Sequence, residues 1–110
     1  LCKHYNDSDF IVVYDDIDLL LGELRFKEKG GSGGHRGIES IIYHFGTEKF
    51  HRLKLGIALD GINMRPSEHY VLKPFPKIYE EDVKVVTNRA VDALDFYLKS
   101  NIVETMNQFN

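Results

Sequence analysis

Cysteine is nearly absent. Cys2 is the single one in 110 residues, so no disulfide can close within the chain, and a disulfide-stapled secreted scaffold is excluded. That usage fits a reducing, cytoplasmic setting. Long apolar runs are missing as well. None approaches the ~20 residues needed to cross a bilayer, and Leu1 to Phe10 is polar and mixed in charge, unlike a signal peptide. A basic excess is also lacking: 14 Lys and Arg face 17 Asp and Glu, a net charge of −3. An argument for nucleic acid must therefore come from local clustering. His4, His35, His44, His51 and His69 show no paired ligand spacing, and one thiol cannot build a thiolate site, so no metal is expected. Internal repeats and low-complexity tracts are absent too.

What is present is a soluble mixture, 43% hydrophobic and 28% charged, long enough for one domain with a modest core. Phe10 to Tyr14 is a nearly unbroken β-branched and aromatic run that ends at Asp15-Asp16. It reads as a buried strand delivering two carboxylates to a loop. Glu23 to Lys29 alternates, with Leu24 and Phe26 on one side and Arg25, Lys27 and Lys29 on the other. Ile38, Ile41, Ile42 and Phe45 then recur at helical spacing, and Gly46 is placed to cap the end. His51 to Leu59 alternates again, with Leu53, Leu55 and Ile57 opposed to Arg52 and Lys54. Asp60-Gly61 marks a turn, and Arg65 to Leu72 is expected as a short helix begun by Pro66 and ended by Pro74 and Pro76. Tyr79 to Lys99 carries Val83, Val86, Ala90, Leu94 and Tyr97 on one helical stripe, with an acidic start that suits the helix dipole. Ser100 and Asn101 break it before a short terminal helix.

These elements predict an α/β layer fold: a mixed sheet flanked by helices, with a long C-terminal helix. Three strands make a thin sheet for so much apolar surface, so further strands are expected upstream. The opening on Leu1 fits a fragment, a processed chain or an internal piece equally, and residues 1–110 are read as one incomplete domain.

The most unusual stretch is Gly30-Gly31-Ser32-Gly33-Gly34-His35-Arg36-Gly37, with five glycines in eight residues. Glycine here lets backbone turn sharply or approach a partner closely, and a glycine loop entering a helix presents N–H groups to an anion. A mobile connection is the alternative. No lysine follows the glycines, which excludes a Walker loop, and counting from Gly31 and Gly33 lands on Arg36, which excludes the dinucleotide fingerprint. Asp15, Asp16 and Asp18 gather at a strand end, where open α/β sheets place ligands; a solvated turn explains them equally. Arg25, Lys27, Lys29, Arg52 and Lys54 form a basic stripe if their strands are neighbours. Such a stripe holds a phosphate backbone or is an ordinary solvated face.

The order of motifs goes further. Val12-Val13-Tyr14-Asp15-Asp16-Ile17-Asp18-Leu19, then Gly22, the basic strand, the glycine string with His35, and Phe50-His51-Arg52-Leu53-Lys54-Leu55-Gly56-Ile57 closely resemble bacterial-type peptidyl-tRNA hydrolases. Tyr70 to Phe75 and the long last helix match as well. The resemblance covers nearly the whole chain from Phe10 on, but little over half of a family member.

That resemblance implies hydrolysis of the ester joining a peptide to the tRNA 3′ end. A histidine is the general base toward water, an aspartate orients it, and no metal or organic cofactor takes part. The aspartate maps onto Asp15. The histidine belongs to the part of the family fold without a counterpart here, so the isolated chain is expected to be inactive. Gly33, Gly34, His35 and Arg36 fall on the substrate cleft, and Arg25, Lys27 and Lys54 fall where the family meets tRNA phosphate. Arg36 departs from the family's asparagine and cannot accept a hydrogen bond. Three readings stand: half of a hydrolase site, awaiting its N-terminal segment; a non-catalytic RNA-binding relative; and an α/β fragment that needs a partner chain to fold.

Overall fold

The computed structural model describes residues 10–59 and 76–110. The expected short helix at Arg65 to Leu72 lies outside them. Three strands form one sheet: β1 (Ile11–Leu20), β2 (Leu24–Lys27) and β3 (His51–Ala58), in the order β1-β3-β2. β1 runs parallel to β3, while β2 runs antiparallel to it. Helix α1 (Arg36–Phe45) sits between β2 and β3 in sequence, and a 3₁₀ turn at Lys77–Tyr79 leads into α2 (Glu80–Lys99) and α3 (Ile102–Phe109). The α/β reading, the mixed sheet and the long late helix are all present.

The helices form where their local chemistry directs. His35 caps α1 with its side chain, and Gly46 ends it at φ 73°, returning its N–H to the Ile42 carbonyl. That left-handed step suits glycine. Glu80, Glu81 and Asp82 open α2, where negative charge complements the exposed N–H groups. Asn101 caps α3 by accepting from the Glu104 N–H at 2.9 Å.

Two larger cores result, one on each side of the sheet, beside a small cluster of Ala58 and Leu59 with Ile17, Leu21 and Tyr79. Leu24, Phe26 and Leu53 pack against Val86, Ala90, Ala93 and Tyr97 of α2 and Ile102 of α3. On the opposite side Tyr14 and Phe50 pack with Ile38 of α1. In the first core Tyr97 shares a 2.6 Å hydrogen bond with His51 Nδ1, and burial pushes the Tyr97 phenol up from its ordinary pKa.

Three strand readings need correction. β1 does not end at Tyr14; it continues to Leu20, so Asp15, Asp16 and Asp18 are strand residues and not loop residues. Pairing on β3 supplies the reason, because a ladder tolerates polar side chains that a hydropathy run does not signal. Its register slips between Asp16, opposite Gly56, and Leu20, opposite Ala58. The extra β1 backbone crowds Gly56, where a Cβ would lie 2.1 Å from the Leu20 carbonyl oxygen. β2 is shorter than expected, Leu24–Lys27. β3 is the central strand, and Arg52, expected in a basic surface stripe, is fully buried. Among the described residues β1 pairs only with β3.

The β2 edge is closed by a side chain. Asn110 accepts from the Phe26 N–H at 2.7 Å and donates to the Phe26 carbonyl at 2.9 Å. Its amide thus replaces a neighbouring strand for one residue.

Candidate active site

Asp15 stands midway along β1, and the glycine loop turns back to meet it. Asp15 Oδ1 lies 3.0 Å from His35 Nε2. The other ring nitrogen, Nδ1, accepts from the Ile38 N–H at 3.2 Å. An acceptor at Nδ1 must carry a lone pair, so Nε2 holds the proton and donates it to Asp15. His35 is therefore fixed as the neutral Nε2–H tautomer.

The loop is arranged to hold that ring. Gly33 and Gly34 adopt φ 59° and 85°, a left-handed pair that side chains resist. The His35 N–H donates to the Ser32 carbonyl at 3.0 Å, and the Gly34 N–H donates to Ser32 Oγ at 3.2 Å. Tyr14 packs edge-on to the imidazole, with ring centroids 5.1 Å apart. At Gly37 a Cβ would come within 3.0 Å of His35 Cε1, so a side chain there would push the ring aside.

This geometry assigns chemistry by what is occupied. With both ring nitrogens engaged, His35 has no free lone pair with which to accept a proton from water. Asp15 is different: its side chain is 43% exposed, and among the described residues its second oxygen has no partner. It can receive one more N–H from a group approaching from solvent. Gly33, Gly34 and Arg36, which flank His35 in the chain, are exposed. The sequence-predicted site residues of the loop and Asp15 thus come together.

The basic residues divide. Arg25 and Lys27 are exposed on β2. Their cross-strand partners are Lys54 and Arg52, so the four side chains share one face. Lys54, though, lies 3.5 Å from Asp16 Oδ2, and the two side chains are only 21% and 15% exposed. Asp16 Oδ1 also accepts from the Asp18 N–H at 2.7 Å. Arg52 leaves the surface stripe altogether and lies 4.3 Å from the centroid of the Phe50 ring. The Asp16–Lys54 pair and the burial of Arg52 were not legible in sequence, because both arise from strand order.

No helix among the described residues is long and apolar enough to cross a membrane, and no three His, Cys, Asp or Glu side chains among them gather as a metal set. The family model for peptidyl-tRNA hydrolase matches residues 2–110. The chain belongs to the peptidyl-tRNA hydrolase family. The peptidyl-tRNA hydrolase of Enterococcus faecalis is 43% identical over 111 residues, covering 96% of this chain and 56% of that protein. The one from Pseudothermotoga lettingae is 43% identical over 107 residues, covering 97% and 57%. The crystal structure of peptidyl-tRNA hydrolase from Acinetobacter baumannii superposes with a TM-score of 0.74 at 31% identity, covering 89% of this chain and 49% of that one. The chain spans about half the length of these relatives.

Proposed function

We propose that this chain forms the acid-bearing, substrate-facing half of a cytoplasmic peptidyl-tRNA hydrolase site. The observation that carries the reading is Asp15: its carboxylate is anchored on one side by His35 and open on the other, at the mouth of the glycine loop. A histidine supplied from outside these residues, by an N-terminal segment or a partner chain, donates its N–H to Asp15. Its other nitrogen takes a proton from water as the water oxygen attacks the ester carbonyl. The C–O bond to the tRNA 3′ oxygen then breaks, and the same histidine returns the proton to that oxygen. Asp15 fixes the tautomer and stabilises the imidazolium between the two transfers. Gly33, Gly34, His35 and Arg36 line the pocket for the tRNA end. Arg25 and Lys27 supply the phosphate contacts, with Lys54 behind them held by Asp16.

Turnover of a peptidyl-tRNA tests this in two proteins: the chain alone, and the chain joined to the N-terminal segment of the Enterococcus faecalis relative. The isolated chain is expected to show none. The joined protein is expected to turn over substrate and to lose at least about a hundredfold in kcat with Asp15→Asn, the scale of assisted proton transfer. Asp15-dependent turnover by the isolated chain, or a joined protein indifferent to Asp15→Asn, overturns the reading. In the joined protein, Arg25→Ala with Lys27→Ala is expected to weaken tRNA binding and to flatten its salt dependence by about 1–2 in log–log slope. A second reading, RNA binding without hydrolysis, rests on Arg36, whose guanidinium donates to phosphate but accepts nothing. Binding of tRNA by the joined protein without turnover would favour it.

A further inference from the structure

Arg52 is the largest fully buried side chain, yet among the described residues no carboxylate pairs with it. Its positive charge meets backbone instead. One terminal nitrogen donates to the Gly31 carbonyl at 2.6 Å, and the other donates to the carbonyls of Gly30 and of Glu48, the latter at 2.9 Å. The Phe50 ring closes one side of the guanidinium. A buried cation without a counter-ion is costly, so this arrangement asks for a reason beyond filling space.

The reason lies in the peptide planes it orients. In a trans peptide the carbonyl and the following N–H point in opposite directions. Drawing the Gly30 and Gly31 carbonyls down onto Arg52 turns the N–H groups of Gly31 and Ser32 away from it. Among the described residues neither N–H has an acceptor. The next residues carry the effect to the site, since Ser32 receives the His35 N–H on its carbonyl and the Gly34 N–H on its hydroxyl, and His35 reaches Asp15. We propose that Arg52 is a positioning residue: it sets the peptide orientation at Gly30 and Gly31 and, through Ser32, holds His35 against Asp15. On the function proposed above, this makes it the buried support of the substrate-facing loop. Lysine cannot substitute, because a single ammonium lacks the planar fork that reaches three carbonyls from two nitrogens.

The test is nitrogen-15 NMR on the chain itself. In the unsubstituted protein the Arg52 guanidinium protons are expected to exchange at least about a hundredfold more slowly than those of free arginine, as buried hydrogen-bonded groups do. In Arg52→Lys the resonances of the α2 and α3 core are expected to persist. The His35 Nε2–H signal is expected to disappear into solvent exchange, and the Gly31 and Ser32 amide signals to shift. A folded Arg52→Lys protein that keeps the His35 signal and both amide positions overturns the proposal. If that variant does not fold, the unsubstituted protein decides, because guanidinium exchange as fast as in free arginine overturns the proposal too. No RNA enters either measurement, so the outcome is separate from whether the chain binds tRNA.

Discussion

One face of the sheet carries Leu24, Phe26 and Leu53 beneath α2 and α3; the other carries Tyr14, Asp16, Arg52 and Lys54 toward α1 and the glycine loop. The first is a contact mainly between apolar side chains, with the buried His51–Tyr97 hydrogen bond within it. The second holds a buried guanidinium, a half-buried ion pair and a loop fixed by backbone hydrogen bonds. Apolar contact is non-directional and strong per area, so the first face supplies stability. Hydrogen bonds and charges are directional and nearly balanced against desolvation, so the second supplies position. The contrast teaches that damage to the two faces should register in different measurements.

Phe26→Ala is the sharpest way to break the apolar face. Phe26 is fully buried in it, and its truncation is expected to lower unfolding free energy by about 3–5 kcal/mol in urea titration. In whatever fraction remains folded, the His35 tautomer is expected to be unchanged. A loss below about 1 kcal/mol would show that α2 and α3 do not close the sheet as described.

Asn110→Ala removes a smaller, edge-specific support. Its two hydrogen bonds to Phe26 are expected to contribute about 1–2 kcal/mol, seen as faster amide exchange at Phe26 with little change at the glycine loop. Asp15→Asn should have the smallest effect on stability. Its pairing with His35 is partly open to solvent on both sides, so a change of no more than about 1 kcal/mol is expected. The same substitution is expected to abolish most turnover in the joined protein. A large loss of stability from Asp15→Asn would show that the Asp15–His35 contact holds the fold together as well as positioning the loop.

Much of this was legible before any coordinates. The stripe of Val86, Ala90 and Tyr97 foretold α2, and Ile38, Ile41 and Ile42 foretold α1, because helical periodicity is local. Gly46 and Asn101 acted at the helix ends as their chemistry predicts. The glycine loop beside Asp15 was expected from the order of motifs. The length of β1 was not legible, since Asp15, Asp16 and Asp18 interrupt its hydropathy while pairing with β3 keeps it extended. Nor was the fate of Arg52, because alternation in His51 to Leu59 reads the same in an edge strand and in a central one.

The sequence by itself determined the helices, their caps, the alternation of β2 and the glycine-rich turn into α1. All of these depend on residues within a few positions of one another. Only the tertiary structure decided which strand lies in the middle, and with it that Arg52 is buried beneath the loop, that Lys54 meets Asp16, and that Asn110 seals β2 across 84 residues of chain. Those contacts depend on the order of strands in the sheet, which no local pattern encodes, because hydrogen-bonded neighbours in a sheet need not be neighbours in sequence.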